Sequence, residues 1–219
     1  MKRALNLLEY TLIFSFFLVI SLPVFAGKED AKSILDQTAA AFRRSSGVRA
    51  SFVIQTYVKN KMQNSSSGNI CLKGDKFLLD AEGIKTWFDG RTQWSYVANT
   101  DEVNVAEPTS EELQSINPYA FLSIYKKGYN LKLGNKSTYA GKSAYEVILT
   151  AKDKKQDIQC IILYVTKDNL EPLCVSMGQR GGNSVAVRIN FYQTGLSYSD
   201  SMFTFNKKDY PSAEYVDLR

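Results

Sequence analysis

Hydrophobic and polar positions divide the chain into three regimes. Residues Tyr10 to Ala26 ("YTLIFSFFLVISLPVFA") are almost uninterruptedly apolar. From Glu29 to Arg44 apolar side chains recur at helical spacing, at Ile34, Leu35, Thr38, Ala41 and Phe42, and predict one amphipathic helix. Glu29 and Asp30 sit at the positive end of its dipole, Arg43 and Arg44 at the negative end, and Gly47 closes it. After Gly47 the period drops to two. Val48 to Val58 places Ala50, Phe52, Ile54, Thr56 and Val58 on one face of a strand.

The polar run "KNKMQNSSSGN" reads as a solvated loop. "ICLKGDKFLLDAEG", "IKTWFDG", "TQWSYVA" and "DEVNVAE" then read as short strands between turns. Strands resume after Gly128 with "YNLKL", "SAYEVILTA", "DIQCIILYVT", "EPLCVSMG", "SVAVRINFYQ" and "MFTFN". The short links between them predict successive hairpins, hence an antiparallel sheet. A sheet of about 10–11 short strands with few helices curls into an incomplete barrel. The fold class expected is α+β, mainly antiparallel β: a half-open barrel with an N-terminal helix.

Two short helices interrupt the strands. "PTSEELQSINPYAFLSIYKKG" offers Thr109 or Ser110 as a cap, Glu111 and Glu112 in a first turn, and a break at Asn117-Pro118. The second segment is apolar nearly all round, as suits a buried core helix or a flap over an apolar cavity. Tyr119, Phe121, Leu122 and Ile124 are its lid candidates.

The apolar start has the form of a secretory signal: Lys2 and Arg3, an apolar stretch shorter than a membrane span, then Val24-Phe25-Ala26. Cleavage is expected near Ala26/Gly27, leaving a single domain over residues 27–219 in the periplasm. No cysteine lies near that cut, so lipidation at the new terminus is not expected.

Composition removes several function classes. The 219 residues carry 27 basic and 22 acidic side chains for a net charge of +5, spread without like-charge blocks, and nucleic acid is not an expected partner. Histidine is absent, which removes imidazole metal sites and imidazole general bases. Cys71, Cys160 and Cys174 have no CxxC spacing. Cys160 and Cys174 flank one expected hairpin and form a possible disulfide in an exported protein. Asp89, Asp101, Glu102 and Glu107 lie on turns and strand ends without a fixed spacing, and the glycines of "GQRGGNS" fit a hairpin better than a phosphate cradle. The expectation is a monomeric binding protein with no catalytic residues, metal or cofactor. "CIILYV", "KFLLD" and "TWFDG" place large apolar residues on both strand faces. A helix-covered core accounts for part of that, and an internal apolar cavity accounts for it at least as well.

The stretch "IKTWFDGRTQWSYVANTDEVNV" combines an apolar strand, a turn at Asp89-Gly90-Arg91-Thr92, then Trp94-Ser95-Tyr96 and another strand. With the Gly-led strand from Gly68, the "NPYAFL" segment and the "MFTF" motif, it resembles the periplasmic carriers of outer-membrane lipoproteins, the LolA-like proteins. The resemblance spans most of residues 30 to 206. It implies a half-barrel whose cavity shields acyl chains of a lipoprotein or another lipid cargo, received from an inner-membrane transporter and passed to an outer-membrane acceptor. Residues expected to line the cavity are Phe52, Ile54, Phe77, Leu79, Trp94, Tyr96 and Ile162. Alternation puts Trp87 and Phe88 on opposite faces and Trp94 with Tyr96 on one face, taken as the inner one. The carriers hold their lid with an arginine after the Gly-led strand; here Lys73-Gly74-Asp75 stands there, a cation without the bidentate fork. A non-enzymatic lipid-sensing or regulatory module on the same fold is the alternative.

Overall fold

A computed structural model describes residues 30–109, 112–113, 125–126 and 128–219. The expected signal segment and the four lid candidates lie outside the described residues. Helix α1 (Ala31–Arg44) starts where the Asp30 side chain accepts from Ser33 N–H at 2.7 Å, and Arg43 and Arg44 fill its last turn. Its buried stripe is Ala31, Ile34, Leu35, Thr38 and Ala39. Thr38 turns its hydroxyl back onto Ile34 O, so the polar atom inside the stripe is satisfied.

All but one of the strands join a single path. In chain order they are β1 (Val48–Val58), β2 (Lys61–Lys73), β3 (Lys76–Ala81), β4 (Ile84–Phe88), β5 (Gln93–Val97), β6 (Glu102–Ala106), β7 (Tyr129–Leu133), β8 (Thr138–Tyr139), β9 (Lys142–Ala151), β10 (Ile158–Thr166), β11 (Pro172–Gln179), β12 (Asn183–Thr194) and β13 (Glu214–Asp217). The spatial order is β13-β6-β5-β4-β3-β2-β1-β12-β11-β10-β9-β7, with β8 paired to β9. The ladder is antiparallel except where β13 adds to β6 in parallel. The sheet stays open, an unclosed half-barrel around α1.

Register sorts side chains into two faces. The inner face bears α1 and the main core: Val48, Ala50, Phe52, Ile70, Leu72, Phe77, Phe88, Val147, Leu149, Ile161, Leu163 and Val175. Phe52 lies opposite Gly68, where a Cβ would stand 2.7 Å from its ring. Glycine is therefore required for that ring to lie flat across the next strand.

The 13 strands differ from the expected 10–11 at several places. The polar run read as a loop is the first half of β2, turned back by Lys59 and Asn60, both at positive φ. This half of the hairpin is exposed, so no buried face imposes alternation. "MFTFN", expected as a strand, instead begins in a 3-10 turn, Asp200–Phe203, with Phe203 fully buried. The added strands are the short β8 and, from the last residues, β13.

The Thr109 cap is present. Thr109 Oγ1 accepts from Glu112 N–H at 3.3 Å while the Glu112 carboxylate takes Thr109 N–H at 2.7 Å, a reciprocal capping box.

Cys160 and Cys174 do not bridge. They occupy neighbouring strands, but Cys160 faces Gly178 and Cys174 faces Tyr164. That offset is about 13 Å along the ladder at ~3.3 Å per residue, beyond disulfide reach. Both are free thiols, and burial raises both pKa values. Intact mass is therefore expected to be identical with and without reductant, and Cys174 should label with thiol reagents only on unfolding; a mass lower by one disulfide would contradict the register.

Candidate functional site

The inner face has two parts. Beneath α1 its side chains are fully buried; Phe77 is 0% exposed. Beside that core a strip of half-buried apolar side chains continues: Ile54 on β1, Leu79 on β3, Leu131 on β7, Met177 on β11, Val187 and Ile189 on β12. They form an apolar lining without polar partners to satisfy, the surface an acyl chain needs. Leu113 packs on this core, and buried Tyr125 donates to Asp36 of α1 at 2.5 Å. Burial first, then Asp36, pushes the Tyr125 hydroxyl up to about 12. Residues 113 and 125 thus both belong to the inner face.

Two depressions flank α1. One of about 740 Å³ is edged by Asp30, Lys32, Asp36, Arg44 and Asp168, charged groups that an alkyl chain would have to desolvate. The other, about 210 Å³, lies between Phe42, Leu170, Pro172 and Tyr192 and is smaller than the ~300 Å³ of a usual ligand pocket. The strip on the sheet is the better candidate.

Of the residues expected to line a cavity, Phe52, Ile54, Phe77 and Leu79 lie on this inner face. Trp94, Tyr96 and Ile162 do not. Trp94 pairs with Trp87 and Tyr96 with Lys85, in the rows opposite to Phe77–Phe88. Their outer face is hidden by the C-terminal segment: Trp87 meets the rings of Phe205 at 5.4 Å and Tyr210 at 5.6 Å, and Tyr96 meets Tyr210 at 4.5 Å. The two apolar faces of these strands therefore answer to two different covers. Ile162 alternates with core residues Ile161 and Leu163 and packs outside against a cluster of Ala144, Tyr164, Leu173 and Cys174.

Sequence reasoning overlooked Met177, Val187 and Ile189 as lining. The alternation in "SVAVRINFY" carried the signal, but the register shift opposite Ser51/Phe52 breaks it after Ile189.

Acidic residues near the turns have structural partners. The Asp89 carboxylate accepts from the N–H groups of Arg91 and Thr92 at 2.9 and 2.8 Å, holding the hairpin with Gly90 at φ 104°. Glu107 pairs with Arg91 and Asp101 accepts from Tyr96. Among the described residues no cluster of acidic or sulfur side chains could hold a metal ion. Lys73 directs its charge to the C-terminal segment, donating to Tyr198 O and Asp200, both at 2.8 Å.

Glu146 is the one buried carboxylate of the outer face among the described residues, 7% exposed. Burial would raise its pKa, but the Tyr164 hydroxyl at 2.5 Å and the Lys136 N–H at 3.2 Å bond the anion and hold it below the ordinary value. Gly134 lies so close that any Cβ there would collide with the carboxylate. A depressed carboxyl stabilises the fold above its unfolded pKa of ~4.3 and loses that contribution as pH falls through the folded value. Glu146→Gln is expected to cost about 1–3 kcal/mol at neutral pH and to flatten the acid limb of the stability profile. An unchanged acid limb in urea titrations would contradict this role.

The sequence from residue 22 to 183 matches the family described as outer membrane lipoprotein carrier protein LolA. The chain belongs to the LolA family. No curated protein matches the sequence. Among solved structures, an uncharacterised conserved protein from Thermus thermophilus superposes with a TM-score of 0.58 at 13% identity, over 85% of this chain and 98% of that one. The lipoprotein LppX from Mycobacterium tuberculosis gives 0.48 at 12%, over 77% and 97%. The LolA superfamily protein NE2245 from Nitrosomonas europaea gives 0.41 at 13%, over 81% and 98%. At such identities the Thermus likeness supports the open half-barrel fold and nothing finer. No helix among the described residues is long and apolar enough to cross a membrane.

Proposed function

We propose that the protein is a periplasmic carrier that shields acyl chains of a lipoprotein or related lipid against the inner face of its half-barrel and delivers them toward the outer membrane. The observation that carries this is the half-buried apolar strip from Ile54 and Leu79 across to Met177, Val187 and Ile189, in a chain of the LolA family. Export with cleavage near Ala26/Gly27 would deliver residues 27–219 as a single monomeric domain. Tyr119, Phe121, Leu122 and Ile124 would close over the bound chains.

The physical need is plain. Each acyl CH₂ taken out of water is worth ~0.8 kcal/mol, so a multiply acylated protein leaves a bilayer only for another apolar surface. An inner-membrane transporter would supply the cargo and an outer-membrane acceptor would take it. No catalytic step is required.

The test is release. Inner-membrane vesicles carrying a diacylated lipoprotein are incubated with the purified protein, with the transporter and ATP where needed. A soluble one-to-one complex is the expected product. Cargo that stays in the pellet under every condition would overturn the reading.

A further inference from the structure

The β1–β2 hairpin projects beyond its neighbour. Strand β3 pairs with β2 only from Gly68 to Lys73, so residues Lys61 to Ser67 extend past it. At ~3.3 Å per residue the Lys59-Asn60 turn stands about 20 Å beyond the β3–β4 turn. On its other side it is not alone. Val58 pairs with Asn183, Lys59 N–H donates to Gly182 O, and Arg180 N–H donates to Asp157 O. Three turns, at 59–60, 180–182 and 152–157, therefore stand level at one end of the sheet.

Chemistry concentrates at that end. Among the described residues Lys59, Lys61, Lys152, Lys154, Lys155 and Arg180 stand there against two carboxylates, Asp153 and Asp157, the latter paired with Arg180 at 3.4 Å, and all eight side chains are exposed. The acids of the neighbouring turns, Glu82, Asp101 and Glu102, lie on the shorter strands, set back from the tip. Flanking the lysines of the hairpin are two bare apolar side chains, Val58 at 43% exposure on the inner face and Met62 at 57% on the outer one. Tyr57, half-buried, lies opposite Met62.

We infer that this basic tip, with Val58 and Met62 on either side of its turn, docks on the anionic headgroups of a lipid bilayer. The charges meet lipid phosphates at the surface while the two apolar side chains enter the boundary between headgroups and acyl chains. The same strands lead inward: Val58, Thr56, Ile54 and Phe52 succeed one another on the inner face of β1, as Val185, Val187 and Ile189 do on β12. Docking here sets the apolar strip end-on to the membrane. That use of the surface rests on the carrier reading, whereas the docking itself does not.

The experiment is vesicle flotation with phosphatidylethanolamine vesicles, with and without phosphatidylglycerol. The expected result is binding only to the anionic vesicles, falling as salt rises. Lys59→Gln with Lys61→Gln should weaken binding about 30-fold, from the loss of two surface-facing charges. Val58→Ser with Met62→Ser should weaken it further in combination. Lys207→Gln with Lys208→Gln changes net charge equally at exposed sites elsewhere and should leave binding within about twofold. Equal losses from the two lysine pairs, or no binding to anionic vesicles, would overturn the inference. Lipid bound in solution by the flotation-defective variant would separate the two ideas, because cargo binding would survive without docking. Docking by a protein that never holds cargo would overturn the carrier reading and leave the docking surface standing.

Discussion

Truncation after Gly195 is expected to unfold the protein. The removed segment contributes Phe203, fully buried, and Phe205 and Tyr210, half-buried against Trp87 and Tyr96. Full burial of a large apolar side chain is worth about 1.5–3 kcal/mol, so one full and two half burials together contribute about 3–6 kcal/mol. The truncation also uncovers Trp87 and removes β13, which leaves β6 as an open edge. A domain has about 5–15 kcal/mol in total, and the loss consumes most of it. If the truncated chain aggregates before it can be measured, Phe203→Ala in the full chain should still cost about 3–5 kcal/mol. Urea midpoints close to those of the intact protein for both variants would show that the segment merely rests on the sheet.

The second large effect concerns cargo. Ile54→Asp combined with Val187→Asp places two carboxylates at paired positions of the half-buried strip. A carboxylate against an acyl chain must either lose its water or protonate, at a cost of several kcal/mol. Affinity for acylated cargo should fall by about two orders of magnitude or more. Neither side chain is fully buried, so the variant should remain folded by circular dichroism. Wild-type cargo affinity in a folded double variant would exclude the strip as the binding surface.

The sheet was legible in the sequence because period-two alternation is enforced wherever one face is buried. Helix α1 was equally plain, since its stripe and charged ends agree. What misled was the assumption that aromatic residues mark the inner face. Trp94 and Tyr96 are large and apolar, but alternation states only that they share a face, not which one. That choice is made by Phe77 and Phe88, which pair across β3 and β4 under α1, and by Phe205 and Tyr210, more than a hundred residues away. No local pattern reports such a cover. Ile162 failed for the same reason in "CIILYV", where both faces are apolar. The polar half of β2 was invisible because a hairpin exposed on both sides has nothing to alternate against. The family motif around Asp89 was reliable for a physical reason, a carboxylate that holds two backbone N–H groups of its own turn.

Lysine at position 73 also has a consequence. Where the carriers use an arginine for the lid, this side chain is committed with Lys76 to Asp200. Asp36 of α1 instead accepts the hydrogen bond from Tyr125.

The most direct measurement is native mass spectrometry of the protein isolated without detergent from the envelope in which it is made. A bound acylated species whose mass matches a lipoprotein or lipid is expected, and it should be lost when Ile54 and Val187 are both replaced by aspartate. A bare polypeptide mass under conditions that preserve known lipid complexes would contradict it.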